Sequence, residues 1–148
     1  MLKVYLIGSL RNPAVPEFAA TLRTMSYDAL EVFDDWYAAG PEADDYWQRY
    51  EIDRGRSFTE ALNGYAAQHT FNFDKYHLDR ADVGVLLLPA GKSGHLELGY
   101  LIGQGKPGFI VLDKQPERYD VMYAFATKVV SSPEAFLEAL REVEVPWR

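Results

Sequence analysis

The chain of 148 residues sets 22 Asp and Glu against 15 Lys and Arg, a formal net charge of −7, and contains no cysteine. Disulfides, thiolate catalysis and zinc–thiolate sites are therefore excluded, and with cations scattered apart from Arg54/Arg56 the acidic balance argues against a nucleic acid polymer as partner. The length suits one domain; no apolar run reaches membrane-spanning length, and Leu2–Ile7 is too short for a signal-peptide core, so a cytoplasmic protein without a membrane partner is expected.

Leu2–Ile7 reads as a buried strand ended by Gly8-Ser9. Asn12-Pro13 opens a helix with Pro at its first position, and Val15, Phe18, Ala19 and Leu22 recur at helical spacing. Leu30–Phe33 is a short second strand, ended by Asp34-Asp35-Trp36. Pro41-Glu-Ala-Asp-Asp45 starts a helix that breaks at Arg54-Gly-Arg56. Ser57, with Glu60 at capping-box spacing, predicts one longer helix. Its Phe58, Leu62, Tyr65, His69, Phe73 and Tyr76 step by threes and fours into an aromatic, apolar face. Val83–Leu88 is the third strand, continuous in Val and Leu as befits a strand covered on both faces. A helix over Ser93–Gln104, strands over Gly108–Leu112 and Thr127–Val130, and a helix opened by Ser132-Pro-Glu134 and running through Leu140 complete the series.

Strands alternating with helices predict a parallel α/β fold. With five strands this is a flavodoxin-like or Rossmann-like three-layer sandwich of order 2-1-3-4-5, whose ligands sit beyond the carboxyl ends of strands 1 and 3. Residues 1–148 are read as a single domain, with a helical, aromatic-rich insert at about 37–78.

Two glycine-containing turns, Gly8-Ser9 and Pro89-Ala-Gly-Lys-Ser-Gly94, converge on that crevice, with Glu97 about one turn into the following helix. Leu96, Leu98, Leu101 and Ile102 surround Glu97, and Gly99 and Gly103 are expected to let this helix press on the sheet. A carboxylate so placed is partly desolvated, which marks a candidate active-site group; the plainer reading is an acid favoured by the helix dipole. Gly91-Lys92-Ser93-Gly94 is not a P-loop, because Leu86 stands where the upstream glycine belongs. Either its amides form an anion site at the helix start or Ser93 simply caps the helix. Pattern alone makes Asp74 a solvent-side residue, the alternative being a second carboxylate facing Glu97. Tyr5 is by itself a core residue whose hydroxyl needs a partner. Asp34, Asp35 and Trp36 end strand 2 beside the crevice, and the aromatics Tyr37, Tyr46, Trp47 and Tyr50 follow, suited to a planar ligand or to packing on helices or on a neighbouring subunit.

Lys3-Val-Tyr5-Leu-Ile-Gly8-Ser9, Asn72-Phe-Asp74, Asp79-Arg-Ala-Asp82, Leu96-Glu97-Leu-Gly-Tyr100 and Gly105-Lys-Pro107 together resemble the nucleoside 2-deoxyribosyltransferase family, over strand 1 and about residues 71 to 113. The resemblance implies Glu97 as nucleophile on the anomeric carbon, Tyr5 as the residue that orients it, and Asp74 as the acid that protonates the departing base. It places Asp120 and Met122 near a position through which a neighbouring subunit completes the sugar site, implying a homo-oligomer, a dimer or larger. Gly8, Ser9, Lys92, Ser93 and Gly94 would hold sugar or phosphate, Asp34 would border the site, and Trp36 would stack on the base. No metal or cofactor is implied. The loop before Glu97 is shorter than in the transferases and lacks their acidic base-contacting residue. Transfer to a second base and hydrolysis of a 5′-monophosphate both stay open. So do a non-catalytic nucleotide-binding sensor and an NAD-type glycohydrolase.

Overall fold

The computed structural model describes residues 1–143; the end of the expected domain, 144–148, lies outside them. A five-stranded parallel sheet runs β2-β1-β3-β4-β5, the predicted order. Its strands are β1 (Leu2–Ile7), β2 (Leu30–Phe33), β3 (Val83–Leu87), β4 (Gly108–Val111) and β5 (Lys128–Val130). The helices are α1 (Ala14–Met25), α2 (Ala43–Asp53), α3 (Phe58–Leu62), α4 (Tyr65–Arg80), α5 (Lys92–Gly103) and α6 (Pro133–Arg141). Short 3-10 helices span Asp35–Ala39 and Val121–Phe125. No helix among the described residues is long and apolar enough to cross a membrane.

Strand alternation sorts the core into two layers. Val4 and Leu6 of β1 point to the α1 and α6 side, where they pack with Phe18, Leu22, Phe109 and Phe136. Tyr5 and Ile7 point to the other side, with Leu78 and Ala81 from the end of α4 and Leu98 and Leu101 of α5. Tyr5 is therefore committed to the same layer as α4 and α5 by register, paired with Phe33 of β2 and Gly84 of β3.

Several expected details differ. Pro13 stands one place before α1, and α5 begins at Lys92 behind Gly91, so Ser93 is inside the helix and no side chain caps it. The capping box of Ser57 and Glu60 forms as expected, but the helix it opens ends at Leu62. Asn63 and Gly64 break it, Gly64 being extended (φ −78°, ψ 161°), and α4 starts afresh at Tyr65. The aromatic face read across that break is not core: Phe58, Tyr65 and Tyr76 are 70%, 96% and 62% exposed. The close approach of α5 also has another origin than expected. A Cβ at Gly99 or Gly103 would meet nothing, whereas at Gly84 it would lie 2.5 Å from Leu101 Cδ1 and at Gly108 2.6 Å from Ile102 Cγ1. Glycines in the strands, not in the helix, admit the apolar side chains of α5.

Residues of the Asp79-Arg-Ala-Asp82 run act as ties. Lys3 N donates to Asp82 Oδ2 at 2.8 Å, and Arg80 pairs with Glu31 at 3.0 Å. The Tyr100 hydroxyl donates to Asp79, and Lys106 Nζ donates to the carbonyls of Leu78 (3.2 Å) and Asp79 (3.0 Å) at the end of α4. These bonds fix the carboxyl end of α4 against β1 and α5.

Candidate active site

A cleft of about 610 Å³ opens beyond the carboxyl ends of β1 and β3. The sheet side supplies Tyr5, Gly8, Ser9, Gly91, Lys92, Ser93, Gly94 and Glu97, and the helical insert supplies Asp74, Phe73, Asp44 and Gln48. The cleft thus lies between a sheet-backed floor and a wall of helices.

Glu97 and Tyr5 meet on the floor. Tyr5 is only 2% exposed, and its phenol is hydrogen-bonded to Glu97. Burial pushes the phenol far above its ordinary range, and the charges of Glu97 and Asp74 push it further, so it is a permanent donor to the carboxylate. The Glu97 carboxyl is raised from 4.5 to about 7, first by burial and then by repulsion from Asp74; the Tyr5 hydrogen bond opposes the rise and Asp44 adds to it. Asp74 is raised from 3.8 to about 6, by burial first and by Asp44 second. Two carboxyl groups that titrate near neutrality and repel one another hold one proton between them over the intervening range.

Around this pair the floor is held rigidly. Phe33 lies 5.2 Å from the Tyr5 ring and stacks on His77 of α4 at 4.0 Å. Trp36 Nε1 donates to the Leu6 carbonyl at 2.8 Å, which fixes the indole at the cleft edge. Gly8 is needed where it is: a Cβ there would lie 2.9 Å from Val15 Cγ2 and 3.9 Å from the Trp36 ring. Gly94 likewise faces Leu86 and Ile7, at 3.0 and 3.2 Å from the Cβ it lacks. Lys92 and Ser93 are exposed in the first turn of α5, whose opening amides have no intrahelical acceptor. Ser9 and Arg11 line the cleft with them, and Arg11 Nη2 pairs with the cleft-lining Asp45 at 3.4 Å.

The structure separates Asp34 from Asp35. Asp34 is not among the residues lining the cleft; Arg23 Nη2 holds it at 2.7 Å. Asp35, one residue on, lines the cleft. Asp120 and Met122 also lie outside it, exposed, with Asp120 Oδ1 accepting from Met122 N at 2.8 Å. They sit near the start of α5 through His95, whose Nε2 is 2.9 Å from the Tyr123 hydroxyl and whose Nδ1 is 2.7 Å from the Gly91 carbonyl. A carbonyl can only accept, so Nδ1 carries the proton of the neutral ring and Nε2 accepts from Tyr123.

Sequence reasoning missed Asp44, Gln48, Arg11 and His69, all of which line the cleft. Asp44 matters most, since its charge raises both Asp74 and Glu97. In the sequence it is one acid among several at a helix start, and nothing distinguished it. Among the described residues no group of three or more His, Asp or Glu side chains is placed to hold a metal ion.

No protein-family model and no curated protein sequence matches the chain. Among solved structures it is similar to a conserved protein from Enterococcus faecalis V583, with TM-score 0.63 and 16% identity over 96% of this chain and 98% of that one. It is also similar to the CMP N-glycosidase BcmB of Clostridium botulinum, with TM-score 0.50 and 12% identity over 94% of this chain and 98% of that one. At these identities the likeness is one of fold, the α/β three-layer arrangement built on a sheet of order 2-1-3-4-5.

Proposed function

We propose that the protein cleaves the N-glycosidic bond of a 2′-deoxynucleoside or its 5′-monophosphate through a covalent glycosyl-enzyme, passing the sugar to a second base or to water. The observation that carries this reading is the Glu97–Asp74 pair: two carboxyl groups in one cleft, raised to about 7 and about 6, with a buried tyrosine bonded to one of them. The fold shared with a CMP N-glycosidase supports it.

In the first step a Glu97 carboxylate oxygen attacks C1′ as the C1′–N bond breaks. The bond's electron pair leaves with the base, and the Asp74 proton goes to the base nitrogen. In the second step a water or a base nitrogen attacks C1′, Glu97 departs as carboxylate, and Asp74 takes the proton from the incoming nucleophile. This is double displacement of the kind retaining glycosidases use, extended to N-glycosides. Tyr5 holds the Glu97 carboxylate for attack. Trp36 offers a face for the base, and Ser9, Lys92, Ser93 and Gly94 face the 5′ end of the sugar. Neutralising an anionic phosphate there would suit Lys92 and the amides of α5.

The exposed Val121, Met122 and Phe125 beside Asp120, 76%, 60% and 71% accessible, support a homo-oligomer that closes the site from outside. The test is incubation with deoxynucleosides and their 5′-monophosphates, with and without a second free base, followed by chromatography. Exchanged nucleoside identifies a transferase, and free base from monophosphates alone identifies a hydrolase. Binding without products across the panel overturns the reading in favour of a nucleotide sensor, and nicotinamide released from NAD would point to a glycohydrolase of dinucleotides.

A further inference from the structure

Helix α2 is anchored in an unusual way. Tyr46, Tyr50 and Ile52 are 59%, 46% and 68% exposed and Trp47 is half-buried, while its one fully buried residue is a carboxylic acid, Glu51, 1% exposed. Glu51 Oε2 accepts from Arg56 Nη1 at 2.7 Å, and the Arg56 amide donates to the Glu51 carbonyl at 3.2 Å. These two bonds between the same residues close the turn from α2 into α3. The other carboxyl oxygen, Oε1, is buried without a hydrogen-bond partner. It lies against Gly64, where an added Cβ would be 2.8 Å away. Gly64 caps the amino end of the sixteen-residue α4. That end presents free amides and the positive pole of the helix dipole, so a carboxylate is stabilised there in spite of its burial.

Asp44, Gln48 and Glu51 fall at i, i+4 and i+7 and share one face of α2. The first two line the cleft, and the third joins α2 to the beginning of α4. From Glu51 to Asp44 the helix runs roughly 10 Å at 1.5 Å per residue, so a tilt of about 10° at the anchor moves Asp44 by about 2 Å. The principal partner of α2 is α4, which carries Asp74.

We infer that the Glu51–Arg56 clasp at Gly64 is the positioning device of the active-site wall, setting Asp44 and Gln48 over the Asp74–Glu97 pair. Glu51 is not among the residues that line the cleft; it acts through α2. The role rests on the proposed glycosidic chemistry for its kinetic consequence, though not for its geometric one.

The test compares the wild type with Arg56→Met, Arg56→Lys and Gly64→Ala in three measurements. These are steady-state kinetics on whichever panel substrate turns over, carboxyl-carbon NMR titration of Asp74 and Glu97 in the free protein, and thermal melting. Arg56 is 41% exposed on its side chain, so its replacement leaves the apolar core untouched. In Arg56→Met and Gly64→Ala, kcat is expected to fall about tenfold or more with KM changed less than about twofold. Asp74 and Glu97 are expected to titrate lower as Asp44 leaves them, and Arg56→Lys should retain most of both properties. Lowered melting with unchanged carboxyl titrations and unchanged kcat overturns the inference and leaves Glu51 a stabiliser of the insert. Should no substrate turn over even in the wild type, the proposed chemistry fails, and shifted titrations in the variants still establish the positioning role.

Discussion

The two sides of the cleft are built on opposite principles. The floor belongs to the sheet: Tyr5 is flanked by Phe33 and Gly84 in register, and Glu97 rides on a helix whose Leu98 and Leu101 are buried. The wall belongs to the insert, where α2 buries a carboxylate in place of apolar side chains and α3 buries only Ala61. In the proposed mechanism the attacking group is thus mounted on apolar packing. The groups assigned to the proton in that mechanism sit on helices held by ion pairs and, at the end of α4, by ties to β1, β2 and α5 and by the buried Leu78 and Ala81. Substitutions in the apolar packing beneath the floor should damage chemistry and core together, and those of the wall's cleft-lining acids should alter proton handling at little cost in stability.

The largest expected effect is that of Glu97→Ala, a loss in kcat of about ten-thousandfold with binding retained. Glu97→Gln should lose as much activity while gaining stability, and the sign follows from the raised carboxyl. A carboxyl raised from 4.5 to about 7 by folding contributes stability that is complete below 4.5 and lost as pH rises through about 7. Glutamine mimics the protonated form, so the variant should exceed the wild type by about 1–2 kcal/mol at pH 8, allowing for solvent in the open cleft, and by nothing near pH 4. Urea denaturation at the two pH values checks it; equal stability at pH 8 would mean that Glu97 is not strained.

Next comes the wall. Asp74→Asn should lower kcat by about 10²–10⁴-fold, least for bases that leave readily without a proton. In the wild type, kcat/KM should be bell-shaped, highest between about 6 and about 7, where the pair carries one proton. Within that range the proton rests mainly on Glu97, which titrates higher, so the proposed reaction runs through the minority form with Glu97 ionised and Asp74 protonated. Below it both are protonated, and above it neither has a proton to give. Tyr5→Phe removes the hydrogen bond that opposes the rise of Glu97, so the form with Glu97 ionised becomes rarer, the descending limb should move to higher pH and kcat/KM should drop about tenfold. A flat profile through this range would separate the two carboxyl groups from the chemistry.

The floor was far more legible in the sequence than the wall, and for a physical reason. Val83, Val85, Leu86 and Leu87 are almost fully buried, and a continuous apolar run is a direct record of a strand covered on both faces. Strand order then carries Tyr5, Gly8 and Glu97 to one crevice. The wall leaves no such record, because its anchor is polar. Asp44 looks like any acid in a first helical turn. The periodicity from Phe58 to Tyr76 runs straight through Asn63-Gly64, a turn signal, and the break prevails because Gly64 must adjoin the Glu51 carboxylate. Asp34 and Asp35 are indistinguishable as a sequence pair, yet the turn into the 3-10 helix gives one to Arg23 and the other to the cleft.

The smallest effects sharpen the account of how α5 reaches the floor. Gly84→Ala would set a Cβ 2.5 Å from Leu101 Cδ1 in a fully packed layer, and β3 cannot yield because it is bonded on both sides. The helix must move outward instead, at a cost of about 1–3 kcal/mol, and Glu97 moves with it, so activity should fall alongside the melting midpoint. Gly99→Ala meets nothing and replaces a helical glycine, so it should stabilise by about 0.5–1 kcal/mol and leave turnover intact. If Gly99→Ala proved the damaging one, the close contact would lie on the helix after all, and the floor would owe its geometry to α5 and not to the strands beneath it.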